Sequence, residues 1–277
     1  MPTLTCDISQ SLWDALQRRV AEGEPLAHVV SRALADTLQI DHGTLFQVST
    51  TGALVEGIYD GVVSVATLKE HGDFGLGTFA DLNGEMIAID GHVFQARPDG
   101  TVVEAPGDAL VPFAVVTHFK AERTSVVAPC PSFAALEAKL DEMRDTANVF
   151  FAFRVDGIFD FVKTRVACKA APDTKLVDAT AHQAEFEYKN VAGSLVGFWT
   201  PHYARTVNVP GYHLHFLSRD RRMAGHLLDC RAKSLHARLQ HEVDFRIAIP
   251  ETAHFLKADL TQDGLADLEK AERRRDT

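Results

Sequence analysis

The sequence predicts an α+β protein in which sheets dominate the middle of the chain. Residues 11–38 place apolar side chains at helical spacing, whereas from Thr44 the texture changes to short β-rich runs punctuated by Gly, Asp and Asn. Further on, Val207, Val209 and the segment Gly211-Tyr212-His213-Leu214-His215-Phe216-Leu217 alternate as a strand requires.

Each element follows from local pattern. Leu12, Trp13, Leu16 and Val20 form one helical stripe, Gly23-Glu24-Pro25 interrupts it, and Leu26, Val29, Val30, Ala33, Leu34 and Leu38 resume it. That is a helical hairpin or kinked helix whose stripe serves packing. Leu45-Phe46-Gln47-Val48-Ser49, Met86-Ile87-Ala88-Ile89 and His92-Val93-Phe94-Gln95-Ala96 read as strands, with Asp90-Gly91 and Asp99-Gly100 as hairpin-type turns. Gly72-Asp73-Phe74-Gly75-Leu76-Gly77-Thr78-Phe79 is glycine-rich, but it is neither G-x-G-x-x-G nor followed by G-K-[ST]. It reads as a tight structural loop. Val111–Thr117 is a strand with Pro112 near its start, where a missing N–H is tolerated. Ser132 caps a helix to about Thr146, with Ala135, Leu136, Leu140 and Met143 on one side. Val149–Val155 and Gly157–Val162 suggest a strand pair across Asp156-Gly157, strands continue to about Ile249, and Leu260 onward is a charged helical tail.

The bulk properties exclude several classes. A chain of 277 residues with 46% hydrophobic and 24% charged content is an ordinary globular composition. A net charge of −10 argues against nucleic acid or an anionic membrane surface as partner. The first residues show no basic stretch leading into an apolar one, and no apolar run is long enough to span a membrane. Cys6, Cys130, Cys168 and Cys230 are scattered and form no CxxC pair, so a reducing, cytoplasmic setting is expected.

The chemistry concentrates at His213 and His215. Alternate strand residues share a face, with Cα atoms roughly 6.5–7 Å apart. Two imidazoles so placed can converge on one ion, and His226 can return on a neighbouring strand as a third ligand after a turn or bulge at Gly225. Three neutral imidazoles with an open position are what a catalytic zinc site needs. The competing reading is coincidence, since the chain holds 13 histidines. Glu85, in the turn Asn83-Gly84-Glu85, and Arg165, near a strand end, would by default be solvated.

Several segments taken together resemble the alpha-acetolactate decarboxylase family. They are Gln47-Val48-Ser49-Thr50, Gly57-Ile58-Tyr59-Asp60-Gly61, His71 to Phe79, Leu82-Asn83-Gly84-Glu85 and Pro112-Phe113-Ala114. Val196-Gly197-Phe198, Gly211 to Phe216 and Gly225-His226-Leu227-Leu228-Asp229 complete the set, in order from about residue 44. Asn83 stands where the family has aspartate, and residues 1–41 are poorly matched.

The resemblance implies that His213, His215 and His226 hold zinc, that Glu85 points into the site and that Arg165 is the active-site arginine. It implies that Thr78 lines the same pocket and that a tail glutamate, matched by Glu272 with Glu269 one turn away, also reaches it. The implied fold has a mixed-sheet domain over residues 42–160, then a smaller, mostly antiparallel domain over 161–277 carrying the histidines. A homodimer is compatible with this. The implied reaction is zinc-dependent decarboxylation of 2-acetolactate, a 2-hydroxy-3-keto acid, to (R)-acetoin and CO2 through an enediolate. The substrate's own ketone accepts the electrons, so no thiamine or pyridoxal sink is needed. Two other readings stand beside it: a cupin-like metal oxygenase, with Asp220 as a carboxylate ligand after the HxH pair, and a non-catalytic zinc-stabilised binding module.

Overall fold

The computed structural model describes residues 5–38, 43–171, 173–261 and Leu268. The chain divides into two compact units, Met1–His42 and Gly43–Thr277. In the first, the Ser9 hydroxyl accepts from the Leu12 amide and caps α1 (Gln10–Ala21). Gly23, at φ 99°, and Pro25 then break the helix before α2 (Leu26–Leu38), as the interrupted stripe predicts.

In the second unit β1 (Gly43–Val48) runs into a Thr50-capped α3 (Thr51–Val55), then β2 (Val63–Ser64) and α4 (Val65–His71). There follow β3 (Phe74–Thr78), β4 (Glu85–Ile89), β5 (His92–Ala96), β6 (Val102–Glu104), β7 (Leu110–Val111), β8 (Phe113–Thr117) and β9 (Arg123–Val127). After α5 (Phe133–Asp141) and β10 (Phe150–Val166) come α6 (Leu176–Ala179), β11 (Ala184–Thr200), β12 (Gly211–Ser218), β13 (Ala224–Arg231), β14 (Leu235–Ala248) and α7 (Ala253–Lys257). Twelve strands form one sheet in the order β11-β12-β13-β10-β14-β1-β8-β3-β4-β5-β6, with β9 alongside β14. The β1–β14 pair is parallel, and the other described pairs are antiparallel. It joins a sheet half built on β3, β4 and β8 to the half that carries the histidines. Phe74, Leu76, Ile87 and Phe198 share one core cluster, while Phe151, Phe153, Phe159 and Phe216 pack with Leu136 and Leu140 of α5 in another.

The structure departs from five local expectations. The glycine run is not a loop: Phe74–Thr78 is a fully buried strand between β4 and β8. A Cβ on Gly75 would fall 2.1 Å from the Val115 carbonyl oxygen, so glycine here permits close strand approach. Asp156-Gly157 is not a turn either, since β10 runs straight through it, pairing with both β11 and β14. The Asp156 carboxylate accepts from Ser194 Oγ at 2.6 Å and Arg154 Nε at 3.2 Å, which satisfies it within the sheet. Position 160, where a domain boundary was expected, lies inside that strand. Helix α5 ends at Asp141 rather than near Thr146, and Arg144 beyond it stacks 3.5 Å over the Trp199 ring. Gly225 lies within β13, and the turn is made by residues 219–223 with Arg221 at φ 62°.

Where β1 meets β14, Gly43 pairs with Glu242, and a Cβ at 43 would lie 2.1 Å from Glu242 Oε2. Gln240 Nε2 donates to Glu242 Oε1 at 3.1 Å, and burial pushes this carboxyl from 4.5 up to about 8. The folded protein therefore keeps the proton while the unfolded chain releases it, and stability is lost as pH rises from about 4.5 to about 8. Glu242→Gln is expected to raise the melting temperature at pH 8 and to change it little at pH 4.5. Thermal unfolding at the two pH values checks this, and equal shifts at both would refute it.

Candidate active site

The three histidines are brought together by strand register. β12 and β13 pair His215 directly with His226, and His213 lies two residues back on the same face of β12. All three are buried, with ligand nitrogens within 4.8 Å of one another and ring centroids 4.9–5.4 Å apart. His215 Nδ1 lies 2.9 Å from the Met86 carbonyl oxygen. A carbonyl only accepts, so Nδ1 carries the proton and Nε2 is the atom left for a metal. Burial, helped by the Arg165 charge, lowers His213 to about 3, so its imidazole is neutral at working pH.

The remaining residues surround this triad. Arg165 on β10 pairs with His226 on β13 and is buried, contrary to the default for an arginine near a strand end. Glu85 is not a solvated turn residue. It opens β4 after Gly84, whose φ of 89° and contact with the Ala96 carbonyl exclude a side chain. The Ala167 amide donates to Glu85 Oε1 at 3.1 Å, and Oε2 lies 3.6 Å from His215 Nε2. Thr78 pairs with Glu85, and its hydroxyl donates to the Gly84 carbonyl at 2.7 Å, fixing the turn that presents the carboxylate.

These groups line one cleft of about 480 Å³, counted with its open mouth. Its other side is apolar, formed by Leu54, Leu82, Phe113, Leu176 and Val209. That wall was not legible in the sequence, because single leucines and valines scattered over 155 positions carry no motif. Glu272 and Glu269 lie outside the described residues. Leu268, just before them, is buried in the same core cluster as Leu54, Phe113, Leu176 and Val209.

The donor set suits a borderline divalent ion such as zinc: three neutral nitrogen ligands, no thiolate, and room for substrate oxygens. The family model for alpha-acetolactate decarboxylase matches residues 45–262. The chain belongs to the alpha-acetolactate decarboxylase family.

The alpha-acetolactate decarboxylase of Methanosarcina mazei is 44% identical over 230 residues, covering 83% of this chain and 80% of the relative. That of Methylococcus capsulatus is 42% identical over 234 residues, covering 84% and 89%. The crystal structure of the decarboxylase from Bacillus subtilis strain 168 superposes with a TM-score of 0.81 at 33% identity, covering 83% of this chain and all of that one. The family match begins after the helical unit. Asp220, the carboxylate a cupin-like oxygenase would use, sits exposed in the β12–β13 turn and accepts from Ser218 Oγ at 2.6 Å. It is not among the three grouped side chains that could hold a metal ion.

Metal analysis of the purified decarboxylase is expected to find about one divalent ion per chain. His213→Ala and His226→Ala should each lower this at least tenfold, roughly, while the strand-rich circular dichroism persists. Full metal content in both variants would remove the triad as the site.

Proposed function

We propose that this decarboxylase converts 2-acetolactate to (R)-acetoin and CO2 with zinc held by His213, His215 and His226. The observation that carries the reading is the convergence of three buried imidazoles, Arg165 and the Glu85 carboxyl on one cleft. In the substrate the ketone lies β to the carboxylate, so electrons freed by loss of CO2 flow onto the ketone oxygen as an enediolate. Zinc, when bound, supplies Lewis-acid stabilisation of that developing charge.

The chain's own residues supply the rest. The guanidinium fork of Arg165 suits the substrate carboxylate and holds it as it leaves. Glu85 is the proton donor to the enediolate carbon. Its Oε2 faces His215, while the Ala167 amide holds Oε1, so Oε2 is the atom that delivers the proton. The apolar wall keeps bulk water from competing, and delivery from one side of a planar enediolate yields one enantiomer. Glu272, with Glu269 as the alternative, is the tail glutamate proposed as a second carboxylate for the site; the burial of Leu268 in the same core cluster as the wall residues supports this reading. The scattered cysteines, with no CxxC pair, support a reducing, cytoplasmic setting.

Acetoin release from racemic acetolactate, followed through chelation and zinc return, tests the reading. Activity should vanish and come back with the metal. Glu85→Gln should retain the metal and lose about 10²–10⁴ in kcat. Arg165→Lys should cost activity too, because a point charge does not replace a bidentate fork. Full turnover by metal-loaded Glu85→Gln would exclude Glu85 as donor, and tightly bound zinc without acetoin would exclude the reaction.

A further inference from the structure

We propose that Gln47 and Asn208 are positioning residues that set the width of the cleft's apolar side, and so the size of the alkyl group accepted at substrate C2. This rests on the functional reading above. A 2-hydroxy-3-keto acid directs its hydroxyl, ketone and carboxylate toward the histidines and Arg165. The alkyl substituents then face the remaining wall, in which only Phe113 lies on a strand, and Leu54 and Val209 are the two wall residues that flank one buried polar pair. Leu54 sits on α3, a helix of 5 residues, and Val209 on the connection between β11 and β12. Neither segment belongs to a strand, so something else must hold them in place.

A buried amide pair does so. Gln47, fully buried on β1, donates from Nε2 to the carbonyls of Ser49 and Val207, each at 2.7 Å. Its Oε1 accepts from Asn208 Nδ2 at 2.9 Å, and Asn208 Oδ1 accepts from the Val209 amide at 2.7 Å. The Val207 carbonyl also accepts from the Thr51 amide, the first residue of α3, at 3.0 Å. The helix packs against this connection, where a Cβ on Gly52 would make ordinary van der Waals contact, 3.6 Å, with the Thr206 carbonyl oxygen. Ser49, at φ 61°, is the bend at which β1 turns into α3. One carboxamide thus fixes the bend before Leu54, the loop before Val209 and the second amide that holds Val209 itself. Both side chains are at most 2% exposed, so breaking the pair strands buried polar groups and shifts both wall segments. Gly211, which opens the histidine strand, follows two residues after Val209, and His213 two after that.

A residue that served stability alone would change activity toward all substrates alike. The test compares kcat/KM for 2-acetolactate with that for its 2-ethyl homologue, together with metal content. A methylene against an apolar wall is worth about tenfold or more in discrimination, so the wild type should prefer the methyl substrate by about that factor. Val209→Ala should reduce the preference at least fivefold, roughly. Gln47→Met, which keeps the volume and removes every hydrogen bond, should move the ratio the same way, raise KM for 2-acetolactate more than it lowers kcat, and leave metal content unchanged. Asn208→Ala serves as the second variant should Gln47→Met fail to fold. An unchanged methyl-to-ethyl ratio in Asn208→Ala or Gln47→Met, with an active wild type, overturns the positioning role alone. A metal-loaded wild type that releases no acetoin overturns the functional reading and this proposal with it.

Discussion

The hydrogen bond from His215 Nδ1 to the Met86 carbonyl is the contact on which the site depends. Met86 belongs to the β4 half of the sheet and His215 to the far half, 129 residues on. The bond fixes the imidazole tautomer and leaves Nε2 facing the cleft. Because Glu85 adjoins Met86, the same contact brings a carboxylate within 3.6 Å of that nitrogen. The Ala167 amide, just past the end of β10, holds the carboxylate from the other side. Two halves of one folded-over sheet thus share one site, and neither half contains it alone. A metal bound to the triad would reinforce a geometry that backbone groups already impose, which is the usual arrangement around a histidine ligand.

Much of this was legible in the sequence where a period of two, or a break in a period of 3.6, applied. The same-face placement of His213 and His215 needed only strand geometry, and Gly23-Glu24-Pro25 marked the division between the first helices. Glycine misled, because one residue type serves opposite purposes. Asp90-Gly91 makes its expected turn between β4 and β5, with φ values of 53° and 77°. Asp156-Gly157 has the same composition, yet Ser194 and Arg238 reach Asp156 from sequence distances of 38 and 82 and hold it in a continuous strand. Gly75 and Gly77 were read as loop formers although neither adopts positive φ; they are there because β8 passes too close for a side chain.

Glu85 and Arg165 were legible only through resemblance to a family, for a physical reason. A charged residue beside a turn or strand end is solvated unless distant groups bury and satisfy it. For Glu85 those groups are the Ala167 amide and the His215 ring, 82 and 130 positions along the chain. No local pattern encodes such partners. The apolar wall was hidden for a related reason, since its five residues come from five separate segments and share no period.

Under the proposed reaction, the charge balance of the cleft bears on the source of the proton. The His213 imidazole, neutral down to about pH 3, is no reservoir of protons for chemistry near neutrality. A histidine that serves as a metal ligand gives up its nitrogen lone pair and cannot also shuttle a proton at that atom. His215 is further committed through Nδ1 to a carbonyl. Under the proposed reaction, Arg165 would contribute a positive charge that favours an anionic substrate and counters the charge left on the ketone oxygen when CO2 departs. Thr78 uses its hydroxyl proton to hold the Gly84 turn. Among the described residues lining the cleft, Glu85 is then the carboxyl that combines an oxygen turned toward the triad with a backbone amide fixing its orientation. On the proposed reading the roles would be divided by atom: imidazoles for coordination, guanidinium for charge, and one carboxyl oxygen for the proton.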